Sequence, residues 1–199
     1  WGGVQTESAA SDEVERISKE LNELSTGADF PFEILPVAKV RTVEQASKVH
    51  KNDYDVIIVY PATGSGDTLR ACFARKKDKD TLIFARHQSG PVYYWYEALS
   101  VKYLRTDDGS GQNSYRDHGG VHVNDVVVDD YQELLWRLRA LYGIKNFIGS
   151  RIVALGGAWG KYSLEAPQVA RNKFNMKIIE ISYDGVAPEI ESARKDTRL

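Results

Sequence analysis

The sequence predicts an α/β protein with an open, mostly parallel Rossmann-like (flavodoxin-like) sheet flanked by helices. Residues 56–60 form a continuous apolar run, which is typical of a strand buried on both faces of a parallel sheet. Pro61 ends that run in a loop of small residues, and a helix is expected from near Asp67. Short apolar strands alternate with helical patterns along the rest of the chain, which is the order of βαβ units.

Three elements are expected before this central strand. A first helix is predicted to begin at Ser11, which can cap it, and to end at Gly27. Its inward face follows helical spacing through Val14, Ile17, Leu21 and Leu24. Residues 32–40 predict a strand, at an edge or with a bend because of Pro36. Thr42 and Gln45 form a capping-box pattern that predicts a second helix.

The predicted elements after the central strand follow one another closely. They are a helix over 68–75, a strand over 81–85, a helix from Pro91, a polar loop over 106–120, a strand over 125–128 and a helix from Asp130 to Gly143. The pattern then restarts with a strand over 151–155, a helix over 164–173, a strand over 177–181 and a helix from Pro188.

The restart predicts two domains, 1–147 and 148–199. The chain opens in glycines directly before a helix, so we expect an earlier strand of the first domain to be missing. The second domain, at this length, is too short to bury a sheet of its own. We therefore expect the chain to be a fragment of a longer protein.

Composition excludes several kinds of protein. The 26 basic and 28 acidic residues are mixed along the chain and give a net charge of −2, so nucleic acid is not an expected partner. The single cysteine, Cys72, excludes an internal disulfide and a multi-cysteine metal site, and we expect it to be a small core residue. No apolar run approaches the roughly 20 residues that span a bilayer. We expect no membrane partner and a cytoplasmic location.

Residues 64–69 begin like a dinucleotide-binding fingerprint, but Leu69 stands where the third glycine belongs. We therefore disfavour nucleotide binding. Two interpretations stay open: a tight turn leading into a helix, or a site for a hydroxyl-rich or anionic ligand. In the second case backbone N–H groups at the start of the helix, together with the side chains of Thr63, Ser65 and Asp67, would hydrogen-bond to the ligand.

Residues 156–163 come close to a phosphate-binding loop without matching it. Only three residues separate the outer glycines, and Tyr162 rather than a serine or threonine follows Lys161. A close backbone turn that can line a pocket is the better interpretation. Trp159, inside this turn, is a candidate binding residue.

Arg86 and His87 follow a predicted strand and are candidates for ligand contact, because neighbouring strand ends face one crevice. A lone histidine is more often a structural hydrogen-bonding residue, so both interpretations of His87 stay open. Residues 93–96, Tyr-Tyr-Trp-Tyr, are too close in sequence to share one helical face. Their rings suit a subunit interface or sugar stacking, with Trp95 as the candidate contact.

Neither a catalytic residue nor a metal ligand is assigned from the sequence. His118 and His122 are four residues apart, but the two glycines between them disfavour a helical metal pair. Asp117, Asp125 and Asp129 are near in sequence, and a solvated loop is the better interpretation of the whole group. The chain has no nucleophile elbow, and no serine or cysteine triad can be assembled.

Three segments carry a resemblance to a known family. They are residues 151–163, Arg-Ile-Val-Ala-Leu-Gly-Gly-Ala-Trp-Gly-Lys-Tyr-Ser, residues 170–175, Ala-Arg-Asn-Lys-Phe-Asn, and residues 177–182, Lys-Ile-Ile-Glu-Ile-Ser. They resemble the L-fucose isomerase and L-arabinose isomerase superfamily. The central strand and its small-residue loop, 55–64, are similar to part of that family's Rossmann-like first domain.

The resemblance implies conversion of an aldose to a ketose through an ene-diol, helped by a divalent cation, usually manganese. It places the cation's carboxylate ligands beyond Leu199, so no cofactor is expected in this fragment, which alone should be inactive. It also implies a homo-oligomer whose first domain lends side chains to a neighbouring subunit's site. The candidate sugar contacts are Gly64, Ser65, Asp67, Arg86, His87, Trp95 and Trp159.

Two other functions stay open. A non-enzymatic sugar-binding or sensor module of periplasmic-binding type would have a similar order of elements. A purely structural assembly domain would use only the aromatic residues over 93–96.

Overall fold

The computed structural model of the chain describes residues 3–74, 78–93, 100, 104–106 and 121–196. The chain divides into two compact units, Trp1–Leu138 (unit 1) and Arg139–Leu199 (unit 2). Helices and small parallel sheets make up the described part of each unit, which confirms the predicted α/β class. No described helix is both long and apolar enough to cross a membrane.

Unit 1 is built around a sheet of three parallel strands. Its elements are α1 (Glu7–Thr26), α2 (Val43–Val49), β1 (Val56–Val59), α3 (Gly66–Cys72), β2 (Asp80–Ala85), β3 (Leu104–Arg105), β4 (Val121–His122), β5 (Val126–Val128) and the first part of α4 (Tyr131–Phe147). The central strand β2 is buried from Thr81 to Ala85, whereas β1 is mostly half-buried. The strand predicted over 56–60 is confirmed to within one residue, but its predicted position as a central strand buried on both faces is wrong for the described sheet, in which β2 lies between β1 and β5.

The three strands end at the same side of the sheet, because β2 pairs in parallel with both neighbours. We call this side the carboxyl edge. Tyr60, Arg86 and Asp129 are the first residues beyond β1, β2 and β5. The core beneath contains residues from these strands and from α3, including Val59, Ile83, Leu69 and Phe73, with Cys72 packed against it. Burial raises the pKa of the Cys72 thiol to about 11.

The predicted start of α1 at Ser11 is wrong. The helix begins at Glu7, and Thr6, five residues before Ser11, caps it by accepting a hydrogen bond from the Ala9 N–H at 3.1 Å. The Ser11 hydroxyl instead donates to the Glu7 carbonyl oxygen at 3.0 Å from inside the helix. Both residues could have capped the helix, and the acidic Glu7 in the first turn favours the longer form.

The predicted strand over 32–40 is also wrong, since these residues form no ladder with any described strand. The Phe32 carbonyl accepts a hydrogen bond from Ser25, near the end of α1, while Lys39 and Arg41 pair with Glu7 at its start. The helix between these contacts is roughly 27 Å long at 1.5 Å per residue. Fewer than ten residues return along it, so the segment is extended.

Other predicted boundaries differ from the structure. Helix α4 runs through Gly143 to Phe147, so its predicted end at Gly143 is wrong. Val92 and Tyr93 are not helical, and the rest of the helix expected from Pro91, 94–99, lies outside the described residues. The polar loop over 106–120 is likewise outside them from residue 107 onward.

Unit 2 contains one βαβ unit followed by a helix. Its elements after α4 are β6 (Arg151–Leu155), α5 (Ala166–Phe174), β7 (Lys177–Ile181) and α6 (Ala187–Arg194). The strands β6 and β7 pair in parallel over all five residues, as their predicted ranges require. Asn175, in the left-handed region with φ 51°, ends α5 and turns the chain into β7.

Candidate binding site at the carboxyl edge

Arg86 lies fully buried where β2 ends. Its Nε donates to the Glu13 Oε1 at 2.6 Å and to the Tyr93 hydroxyl oxygen at 3.2 Å. The Tyr93 hydroxyl in turn donates to the same carboxylate oxygen. Glu13 is itself only 4% exposed, so both charges of this pair are removed from water and neutralise each other.

The other side of the guanidinium is held by a second acid and two more tyrosines. Arg86 Nη2 donates to Glu20 and, at 3.4 Å, to the Tyr131 hydroxyl. Tyr131 donates to the Glu20 Oε2 at 2.7 Å, which leaves its oxygen to accept from the Tyr60 hydroxyl, 3.1 Å away. Nη1 reaches the Ser89 carbonyl and hydroxyl oxygens at 3.4 Å. Every nitrogen of the guanidinium therefore has a partner.

The arginine is the centre of this cluster both sterically and electrostatically. Its Cζ lies between 5.7 and 6.0 Å from the ring centroids of Phe84, Tyr60, Tyr93 and Tyr131. Burial acts to lower the pKa of Arg86, but hydrogen bonds to Glu20 and Glu13 raise it overall. Burial also raises the pKa of Tyr60, Tyr93 and Tyr131, so all three remain hydroxyl donors.

Glu13 has a second cationic neighbour. Its Oε2 is buried without a hydrogen bond in the described structure, but the half-exposed Arg16 places Nε 3.2 Å from it as an ion pair. The cluster thus sets two carboxylates against two guanidinium groups. Gly90 allows the chain to pass directly over the buried arginine, because a Cβ there would lie 2.7 Å from the Arg86 Cδ.

Asp129, at the end of β5, holds the loop that follows Arg86. Its carboxylate accepts hydrogen bonds from the consecutive backbone N–H groups of His87, Gln88 and Ser89, at 2.8, 2.8 and 2.9 Å. The Ser89 hydroxyl also donates to it at 2.6 Å. Asp129 adopts φ 60°, a left-handed conformation uncommon outside glycine, asparagine and aspartate. Its interpretation as a residue of a solvated loop is therefore wrong.

These hydrogen bonds keep the Asp129 carboxylate ionised. Burial acts to raise its pKa, yet the Ser89 hydroxyl and the three backbone N–H groups lower the pKa overall, well below its usual range. A charged carboxylate that accepts four hydrogen bonds is a strong local anchor. The loop from His87 to Ser89 is fixed at the carboxyl edge, with the side chains of His87 and Gln88 exposed.

The loop predicted to bind a ligand after β1 is exposed, and its polar side chains already have partners. Gly64 has φ 145°, and a Cβ there would meet nothing within 4 Å. The Ser65 oxygen caps α3 by accepting from the Thr68 N–H at 3.3 Å. Asp67 forms an ion pair with Arg70 on the same helix.

The remaining candidates are not brought together by the described structure. Trp159 belongs to unit 2 and is 70% exposed. In the same turn, the Ala158 N–H donates to the Glu180 Oε2 at 3.2 Å, and Arg171 pairs with the other oxygen of Glu180. Trp95 lies outside the described residues.

The sequence patterns did not identify Glu13, Glu20, Tyr131 or Asp129 as residues of this site. One signal was available for Glu13, which lies four residues before Ile17 and so belongs to the inward face of α1, where Val14 was expected. A carboxylate on a core-facing stripe predicts a buried cationic partner. No comparable signal marks the others, because their partners are 40 or more residues away.

The fold and the site define a mixed α/β protein whose polar residues gather at the carboxyl ends of parallel strands, where such proteins bind ligands. No protein-family model, curated protein or solved structure matches the chain. Within the described residues, no three His, Cys, Asp or Glu side chains form a group that could hold a metal ion.

Proposed function

We propose that the chain is part of a sugar isomerase-like protein, in which the carboxyl edge of unit 1 contacts the sugar and the chain takes part in assembly of a homo-oligomer. The resemblance of residues 151–163, 170–175 and 177–182 to the sugar isomerase superfamily supports the reaction class. The position of the polar cluster supports the location of the contact.

The observation that carries the proposal is the anchoring of residues 87–89 by Asp129. Sugar hydroxyls both donate and accept hydrogen bonds, and the exposed side-chain amide of Gln88, next to His87 in this loop, offers both kinds of group. Affinity for so small and hydrated a ligand is favoured when the loop backbone that carries the contacting side chains is already held in place. Four hydrogen bonds to Asp129 supply that restraint from beneath the loop.

Arg86 acts as a positioning residue in this proposal. Its guanidinium is buried and occupied by Glu13, Glu20 and the tyrosines, so it holds the start of the loop and does not touch the sugar. Gly64, Ser65 and Asp67 follow the neighbouring strand and form the adjoining rim. We assign no catalytic residue.

Manganese does not fit the residues described here, because the acids of the cluster are engaged by arginines and by backbone N–H groups. No step of the proposal passes through a metal. The proton transfers of an aldose–ketose isomerisation are accordingly assigned to no residue of this chain.

Calorimetric titration with a pentose and with a 6-deoxyhexose tests the proposal. Binding should weaken in Gln88→Ala and persist in Gln168→Ala, a matched glutamine-to-alanine change on α5 of unit 2. The proposal would be contradicted if neither sugar bound to the chain, or if the two variants bound sugar with equal affinity.

The alternative, a sugar-binding or sensor module, differs in its response to a chelator. Tight sugar affinity that is unchanged by a chelator, with no ketose formed by the protein that contains this chain, would favour that module. Manganese-dependent formation of ketose would favour the isomerase.

A further inference from the structure

The outer edge of β1 has no pairing partner among the described residues. The Asp80 N–H donates to the Asp55 carbonyl oxygen at 3.1 Å, which sets the register of the ladder with β2. In a parallel ladder alternate residues bond to the same neighbour. Ile57 therefore faces β2, whereas the backbone groups of Val56 and Ile58 point to the outer side.

The residues of β1 are not those usual in a strand whose outer edge faces solvent. Val56, Ile57 and Ile58 are half-buried apolar residues, and Val59 is buried. Charged residues, proline or a bulge would be usual on an exposed edge, and none interrupts these four residues. Backbone polar groups beside half-buried apolar side chains normally find a partner.

A second stretch of unit 1 also lacks a backbone pairing partner among the described residues. Residues 33–40 are extended, and no described residue makes a backbone hydrogen bond to them. Half-buried residues recur along the stretch at Ile34, Val37 and Val40. Its branched apolar residues are typical of a strand, and Pro36, which has no N–H group, suits the outermost position in a sheet.

Both stretches run in the same direction. The Thr68 hydroxyl donates to the Arg41 carbonyl oxygen at 3.4 Å, so residues 33–40 end beside the first turns of α3. That helix begins just beyond β1, at the carboxyl edge. The segment and β1 therefore end at the same side of unit 1.

We propose that unit 1 has a slot for one additional parallel β-strand, which lies between β1 and residues 33–40 and pairs with both. The occupant is an extended apolar strand of about five residues, the length that matches the flanking stretches. It leads into α1 through Gly3. This inference is independent of the proposed sugar function.

The placement of Gly3 specifies how the strand enters. Its N–H donates to the Val92 carbonyl oxygen at 2.5 Å, and the neighbouring Tyr93 N–H donates to the Arg86 carbonyl oxygen at 3.1 Å. Gly3 is thus at the carboxyl edge. A strand that ends there and continues through α1 into residues 33–40 makes a βαβ unit, the usual connection between parallel strands. A second copy that paired edge to edge through a two-fold axis would instead run antiparallel.

Amide hydrogen exchange followed by NMR tests the slot. The chain is compared with a strand-extended chain, which carries Lys-Val-Ile-Val-Ile-Val ahead of Trp1, and with a control extension of equal length that has proline at alternate positions. Tethering gives the strand a high effective concentration. The Val56 and Ile58 amides should exchange at least about tenfold more slowly in the strand-extended chain than in the other two.

The amides that face β2 are the internal control. The Ile57 and Val59 amides should exchange slowly in all three chains. Alternate amides over 33–40 should exchange slowly only in the strand-extended chain. Slow exchange of Val56 and Ile58 in the chain itself would overturn the slot, as would equal rates in the two extended chains. If the strand extension slowed exchange in β1 but not in residues 33–40, the added strand would pair with β1 alone, which would overturn the proposed pairing with both stretches. Loss of Ile57 protection on extension would show that the strand disrupts the sheet, and would also contradict the proposal.

Discussion

Arg86 and Glu13 form a buried ion pair across 73 residues of sequence, with 2.6 Å between the arginine Nε and the carboxylate Oε1. The pair joins the end of the central strand to the face of α1. Because both side chains are almost completely removed from water, each depends on the other for its charge to be tolerated.

Arg86→Met should lower the free energy of unfolding by about 3–5 kcal/mol, because it leaves buried carboxylates without their counter-charge. Arg70→Met removes an exposed ion pair with Asp67 and should cost less than about 1 kcal/mol. Urea unfolding measures both. The double variant Glu13→Gln/Arg86→Met should lose less free energy of unfolding than the two single variants lose together. Additive losses would contradict an energetic coupling between Glu13 and Arg86.

Asp129→Asn should lower the free energy of unfolding by about 1–3 kcal/mol, since the amide is uncharged and its NH2 group leaves at least one N–H group of the loop without an acceptor. The neighbouring Asp130→Asn is the matched control. Asp130 caps α4 by accepting from the Gln132 and Glu133 N–H groups, and asparagine caps equally well. Equal losses in the two variants, measured by urea unfolding, would contradict the anchoring role of Asp129.

The contribution of Asp129 should also depend on pH. Its pKa is lower in the folded chain than in the unfolded chain, so the stabilisation is complete above the unfolded value of about 4 and is lost as the pH falls below it. The difference in unfolding free energy between the native chain and Asp129→Asn should be constant near neutral pH and should narrow below about pH 4. A difference that widens on acidification would reverse the sign of the inferred shift.

Cys72 should react slowly with thiol reagents in the folded chain. Its pKa of about 11 means that little thiolate is present at pH 8, and the thiol packs against the core of unit 1. The rate with Ellman's reagent should rise at least roughly 100-fold on unfolding in guanidinium chloride, since the thiolate fraction alone changes by about that much. Equal rates in the two states would contradict the burial of this residue.

Two glycines of unit 2 should respond in opposite ways to alanine. Gly156 has φ 81°, and a Cβ there would lie 2.6 Å from the Tyr183 ring, so Gly156→Ala should lower the melting temperature. Gly143 lies inside α4 with nothing within 4 Å of its Cβ position, and Gly143→Ala should stabilise by about 0.5–1 kcal/mol. Thermal unfolding followed by circular dichroism compares them, and the same sign of change in both would be inconsistent with this structure.

Local patterns were sufficient for some elements of the fold. The strands over 151–155 and 177–181 were predicted with their observed bounds, because glycine or a helix end lies next to each apolar run. The start of α1 was not predicted correctly, because Thr6 and Ser11 are both acceptable caps. Residues 32–40 have the pattern of a strand, but a strand also requires a partner, which the pattern does not reveal.

The site was only partly predictable for a similar reason. The end of β2 identified Arg86 and His87 as a polar pair in the right place. Whether an arginine there contacts a ligand or is neutralised from beneath depends on residues distant in sequence, here Glu13 and Glu20. Asp129 was interpreted as part of a solvated loop, because its contacts are to backbone N–H groups that carry no sequence signature.

The most direct test of the binding role of the carboxyl edge is an NMR titration of the chain with a pentose and a 6-deoxyhexose. We predict saturable shifts of the His87 and Gln88 amides that are lost in Asp129→Asn and retained in Asp130→Asn. Shifts confined to other parts of the chain, or an identical response in the two variants, would contradict it.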